Sequence, residues 1–265
     1  MRRSQLVFGF LIAGLACFAQ DSRAAVVSLT PIEDINNAAT GNSKDVFVYQ
    51  QFGTSNFNNF PLGPTLNFGT LLAVANPGSS SVHHVKTLID FDLTGSGATA
   101  ANLGSAKLLL NVIDATLVGF PVGNATKALP VPVAASLITS SWDESKVTFN
   151  SLAANNPTVG GLVATGSVSG FNQVLELDVT SALLSWLTTP SSQFGLLLAQ
   201  TAEVRDDSNT ALGAVFASSA FGSLQPTLQL TLVPEPATYV MADAGLLGAL
   251  VAGLRRQRAR RRVAA

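Results

Sequence analysis

The sequence predicts an all-β domain, an antiparallel β-sandwich with one short helix, set between an N-terminal signal helix and a C-terminal transmembrane helix. Three observations lead there. Across residues 25–232 apolar residues recur with period two rather than 3.6. Clusters of Gly, Pro, Asn and Ser break these runs at short intervals, as turns between short strands do. Each end of the chain carries a longer apolar run with arginines beside it.

Taken in order, the central strands justify themselves by which residues share a face. Val85, Thr87, Ile89, Phe91 and Leu93 fall on one side of a strand; His84, Lys86, Leu88, Asp90 and Asp92 fall on the other. Leu175, Leu177 and Val179 alternate with Glu176, Asp178 and Thr180, and Leu228, Leu230 and Leu232 with Gln229 and Thr231. Residues 106–113 and 194–199 are more continuously apolar, which predicts central strands. Asn76-Pro77-Gly78, Gly95-Ser96-Gly97, Val118-Gly119 and Asn155-Asn156-Pro157 supply turns. One helix is expected where Leu183, Trp186 and Leu187 fall at helical spacing, with Asp178 or Thr180 as its cap.

The ends read differently. Met1-Arg2-Arg3 gives a positive start, and residues 6–19 form an apolar run about 21 Å long as a helix. That is short of a bilayer core of roughly 30 Å. Ser22-Arg23-Ala24 then fits a small-x-small cleavage rule, so residues 1–24 read as a signal peptide. Gly14 stands where a lipobox before Cys17 wants Leu, and the flanks of Arg2-Arg3 suit a twin-arginine signal poorly. At the other end, Val233, Pro234, Glu235 and Pro236 precede an apolar stretch over residues 237–254, about 27 Å as a helix. A basic tail over residues 255–265 holds Arg255, Arg256, Arg258, Arg260, Arg261 and Arg262, which keeps that end cytoplasmic. The single blemish in the span is Asp243, near its outer end.

This C-terminal order resembles the PEP-CTERM sorting signal of Gram-negative bacteria. The resemblance implies export by the Sec machinery, transient anchoring in the inner membrane and recognition of residues 233–236 by an exosortase that removes the anchor. A cell-surface or extracellular-matrix address follows from it. The central region in turn resembles the DNRLRE domain of large surface proteins. Asp45-Val46-Phe47-Val48 is similar to its opening strand, and Lys86-Thr87-Leu88-Ile89-Asp90-Phe91-Asp92-Leu93 to its next, with Lys86 in place of the usual Arg. Ala106-Lys107-Leu108-Leu109-Leu110 follows, and residues 142–150 are similar to "W-x-E-x-x-V-T-W-N" with Phe149 for the second Trp. Leu177-Asp178-Val179-Thr180 with Trp186, and Pro226-Thr227-Leu228, complete the series. Ala220 stands where an acidic residue often follows the Ser, and the namesake string is absent. The resemblance implies a jelly-roll-like sandwich, and some relatives are carbohydrate-binding modules for acidic polysaccharide.

Charge and chemistry narrow the function. Residues 25–232 hold six Lys and Arg against thirteen Asp and Glu, a net of −7, which argues against a nucleic-acid partner. The only cysteine, Cys17, lies in the signal run, so the processed chain has no thiol chemistry. Asp143-Glu144 is an acid pair, but neighbours in a chain point apart, and pairing of the acid with Lys146 or capping of the turn is expected. His83-His84 face opposite ways on a strand and do not chelate together. Asp90 and Asp92 share a face and offer oxygen ligands for calcium, the one cofactor the residues suggest. Trp142 and Trp186 read as core, leaving Tyr49 and Phe57-Asn58-Asn59-Phe60 as aromatic contacts for a sugar. An acidic polysaccharide would further need Lys44, Lys86, Lys107, Lys127 and Arg205 to converge. No catalytic constellation stands out. The expectation is a non-catalytic structural or adhesive component of the surface or exopolysaccharide matrix, with a carbohydrate-binding module as the alternative and a polysaccharide-degrading enzyme third.

Overall fold

The computed structural model describes residues 24–31, 45–50, 71–78, 83–116, 122–144 and 146–233. Twelve strands lie among them. The first six are β1 (Ala25–Leu29), β2 (Asp45–Tyr49), β3 (Leu71–Ala75), β4 (Val85–Ile89), β5 (Leu103–Ile113) and β6 (Gly123–Asn124). Then come β7 (Val131–Ile138), β8 (Val159–Val168), β9 (Gln173–Asp178), β10 (Leu196–Gln200), β11 (Leu212–Ala217) and β12 (Thr227–Leu232). Two α-helices interrupt them, α1 (Phe149–Ala153) and α2 (Thr180–Thr188). The strands hydrogen-bond in the order β1-β12-β5-β11-β3-β4-β10-β7-β8, with β2 on β4, β6 on β11 and β9 on β5. Pairing is mostly antiparallel, and the fold is all-β. The compact unit that carries the sheet runs over Val26–Thr231.

Burial follows from the strand period. All five residues of β2 are buried. Phe47 and Tyr49 enter one apolar cluster with Leu71, Val85 and Val215. Val46 and Val48 enter a second with Leu88, Ile138, Trp142 and Leu197. Alternate side chains leave a strand on opposite faces, so β2 is dry on both. The neighbouring β4 is held to it residue for residue, from Asp45 opposite Ile89 to Tyr49 opposite Val85. Where β3 parts from β4 after the single pair Ala75–Val85, Thr87 takes over. Its fully buried hydroxyl donates to the Ala73 carbonyl at 2.8 Å and accepts from the Ala73 N–H at 3.0 Å. A side chain thereby satisfies two backbone groups that burial would otherwise leave unpaired.

The expected alternation holds in β9 and β12: Leu175, Leu177, Leu228 and Leu230 are buried, while Val174, Glu176 and Asp178 are exposed. Leu196, Leu197 and Leu198 are buried in β10, between β4 and β7, as their continuous apolarity predicts. Gly78, Gly95, Gly97 and Asn155 adopt positive φ in three of the expected turns; Val118-Gly119 lies outside the described residues. In β8, a Cβ on Gly166 would meet the side chains of Leu177 and Leu175 at 2.7 and 2.8 Å. Glycine there lets β8 approach β9 closely.

Two expectations change. The strand expected through Leu93 stops at Ile89. The carboxylate of Asp90 accepts from the Phe91 N–H at 2.9 Å, and that of Asp92 from the Thr94 N–H at 2.7 Å. Such local acceptors compete with a ladder and turn the chain. Second, the described residues hold two α-helices rather than one. Thr148 caps α1 in a reciprocal box with Ser151, each accepting the other's backbone N–H at 3.0–3.1 Å. In α2, Leu183 and Trp186 are buried and Leu187 is partly buried, with Ala182 also inside, but the N-cap residue is Val179. Asp178 acts from one position earlier, accepting from the Thr180 N–H at 3.0 Å and hydroxyl at 2.6 Å. Those bonds hold its carboxyl below the usual range, so the stability they contribute is present above the ordinary carboxylate pKa and is lost as pH falls through the depressed value. No helix among the described residues is long and apolar enough to cross a membrane; the span expected over residues 237–254 lies outside them.

Leu177 is fully buried and Val174, on the same strand, is about half exposed. Leu177→Ala is expected to cost about 3 kcal/mol of unfolding free energy, read from urea midpoints at constant m-value. Val174→Ala is expected to change it by less than about 0.5 kcal/mol.

Candidate functional site

Polar chemistry in the described chain gathers at the ends of β2, β3 and β4 and in the loops after β10, so each candidate is placed from its strand outward. Tyr49 closes β2. Its ring stands 5.7 Å from that of His83, and its hydroxyl shares a hydrogen bond with His83 Nδ1. Burial pushes the phenol up to about 12. Tyr49 is 3% exposed, so the surface role expected of it gives way to a core one. The reason is the two-sided burial of β2, which leaves no wet face for a sugar. His84 points elsewhere, its Nε2 3.1 Å from the Gly78 carbonyl. The two histidines thus serve separate partners, as adjacent strand residues do.

The turn carrying Gly78 is braced from a second loop. Asn76 N–H donates to Gln200 Oε1 at 3.0 Å. Arg205 donates to the Pro77 carbonyl, to the Asn209 carbonyl at 2.8 Å and to the Glu203 carboxylate. Glu203 lies against Gly78 so closely that a Cβ there would collide with its carboxylate. Gly78 sits at φ +90°, where a side chain would also be strained. Nearby, Gln50 Oε1 is buried and has no hydrogen-bond partner among the described residues.

Lys86 lies on the other face of β4 from the Tyr49 cluster. Its Nζ stands 5.8 Å from the centre of the Phe149 ring, within cation–π range, and burial lowers its pKa. Strand geometry therefore separates Tyr49 from Lys86: one belongs with the cluster of Phe47, the other borders that of Val48 and Leu88. Asp90 and Asp92 sit beyond the strand end, each with a backbone N–H on one oxygen. No group of three or more His, Cys, Asp or Glu among the described residues is placed to hold a metal ion. Other cations answer to neighbours of their own: Lys107 reaches Glu176 at 2.9 Å and Lys146 reaches Asp143 at 2.7 Å. The second pair is the one expected for Asp143, whose carbonyl also accepts from the Lys146 and Val147 N–H groups to close the turn. Trp142 and Trp186 are core, at 8% and 2% exposure, and Trp142 donates Nε1–H to the Phe194 carbonyl at 2.6 Å.

One polar pair was not legible beforehand. Asp45, at the head of β2, is buried, and its two oxygens accept from the Ser219 N–H at 2.6 Å and hydroxyl at 2.7 Å. Ser219 opens the 3-10 turn Ser219–Leu224. A polar residue heading an otherwise apolar strand was the only signal available, and it did not name the partner. Of the residues expected to act in sorting, Val233 is exposed; Pro234, Glu235, Pro236 and the six tail arginines lie outside the described residues. The class defined so far is an all-β protein whose polar groups brace turns and strand ends. Neither a family model nor a curated protein matches the chain.

Removing the Ser219 hydroxyl takes one hydrogen bond from a buried carboxylate, and Ser219→Ala is expected to cost about 2 kcal/mol, measured by denaturant unfolding. A second outcome concerns Tyr49. In a spectrophotometric titration its phenolate is expected only as pH nears about 12, and Tyr49→Phe removes that step. Because the folded pKa is raised, the stabilisation is complete below the unfolded value of 10.0 and disappears as pH climbs to about 12.

Proposed function

We propose that this is an exported, non-catalytic structural or adhesive protein, sorted through a removable C-terminal anchor to the cell surface or exopolysaccharide matrix. One observation carries the reading: Pro234-Glu235-Pro236, an apolar stretch of membrane-spanning length and a tail of six arginines follow one another in that order. The partners are the Sec machinery, an exosortase and, transiently, the inner membrane. The body of the protein is a jelly-roll-like sandwich of the DNRLRE kind. Several features support this. The segments that resemble that domain include Asp45–Tyr49 in β2, Val85–Ile89 in β4 and Thr227–Leu232 in β12. Apolar clusters cover both faces of β2, as stacked layers require. The carbohydrate-binding alternative is the weaker one, because Tyr49, Trp142 and Trp186 are all buried.

Replacing Pro234, Glu235 and Pro236 with alanine should yield a larger product retained in the membrane fraction, while the parent is released shorter at its C-terminus. Intact mass of both products measures this, and normal release of the alanine variant would sink the sorting reading. The role of the body is tested by gel retardation of the recovered protein in neutral and acidic polysaccharides. Retardation would favour the binding module, and a fall in polysaccharide viscosity would favour an enzyme.

A further inference from the structure

The two strands nearest the chain ends are hydrogen-bonded neighbours, and their burial is unequal. β12 lies between β1 and β5, with Leu228 and Leu230 fully buried. Its cover, β1, ends the strand path, and none of its five residues is buried; Val26 is 61% exposed. Detaching β1 therefore uncovers little apolar surface of its own but bares the row of N–H and C=O groups on β12. Neither strand carries a charge or a proline: the sequences are AVVSL and TLQLTL. Charges and prolines are what usually guard an edge against pairing with another chain. The connection from β1 to β2, residues 30–44, is fifteen residues long, enough to reach about 50 Å when extended.

We propose that β1 is an exchangeable strand, and that the partner this edge accepts is the β1 of a second copy of the chain. Exchange keeps the same ladder and the same side-chain contacts, so local concentration alone decides between the closed and the shared form. A tethered strand has an effective concentration of about 1 mM. Dilute molecules stay closed, whereas copies crowded on a surface or in a matrix share strands and become linked. This inference does not rest on the sorting signal; it needs only the sheet.

Two measurements test it on the protein recovered from its producing cells. In the first, a labelled peptide of residues 24–31 is titrated into a variant whose Ala25–Leu29 is replaced by Gly and Ser, and into the unaltered chain. Saturable binding to the variant, with at least about tenfold weaker binding to the unaltered chain, is expected. Absence of binding to a variant that keeps its β-sheet circular dichroism would overturn the proposal. In the second, sedimentation velocity follows the unaltered chain from about 1 µM to about 1 mM. Association is expected toward the upper end. The variant with Ala25–Leu29 replaced by Gly and Ser has no strand to exchange, so its association should be weaker by at least about tenfold. A chain that is monomeric throughout would overturn the proposal even if that variant failed to fold, and so would association that survives the loss of the β1 sequence.

Discussion

The rest of the structure depends on keeping β2 dry on both faces. A five-residue strand has few side chains to offer, and here each of them is inside: two in the cluster of Leu71 and Val215, two in that of Leu88 and Ile138, and Asp45 against Ser219. That demand fixes the register with β4, since a slip of one residue would exchange the two clusters. It also fixes what the polar residues around it can do. Tyr49 keeps its hydroxyl by pairing with His83, and Thr87 keeps its own by bridging to Ala73. Tyr49 and Thr87 are repairs to burial rather than offerings to solvent.

Away from that centre the ionised groups are local. Lys107 with Glu176 and Lys146 with Asp143 are exposed pairs, of the kind that contributes little to stability. Arg205 differs, because it ties two loops through carbonyls as well as a carboxylate. Among the described residues, Lys107, Lys146 and Arg205 each answer to a carboxylate close by rather than to one another.

Much of this fold could be read from the chain. Period two located β4, β9 and β12, continuous apolarity located β10, and glycine or asparagine marked the turns at Gly78, Gly95 and Asn155. Trp186 was placed in the core by Leu183 and Leu187 at helical spacing. Other features were illegible for physical reasons. In a strand as short as β2, alternation is the same whether one face is dry or both, so Tyr49 could be mistaken for a surface residue. The end of β4 at Ile89 depended on whether Asp90 and Asp92 would bond to neighbouring N–H groups rather than lie on a strand face. The α1 helix did have a signature, Thr148 with Ser151 three residues on, but an apolar run long enough to draw attention was missing. The Asp45–Ser219 pair could not be found at all, because no local pattern links residues so far apart.

That separation has a consequence for how the molecule is made. Asp45 and Ser219 are 174 positions apart, and ribosomes add roughly 5–20 residues per second. For something on the order of ten to thirty seconds, β2 exists without the serine that satisfies the acid at its head. The two clusters that keep β2 dry likewise lack Leu197 and Val215 for most of that interval. The strand is therefore enclosed only when nearly all of the sheet has been synthesised, and a factor that holds unfolded chains during that wait is expected to raise the yield.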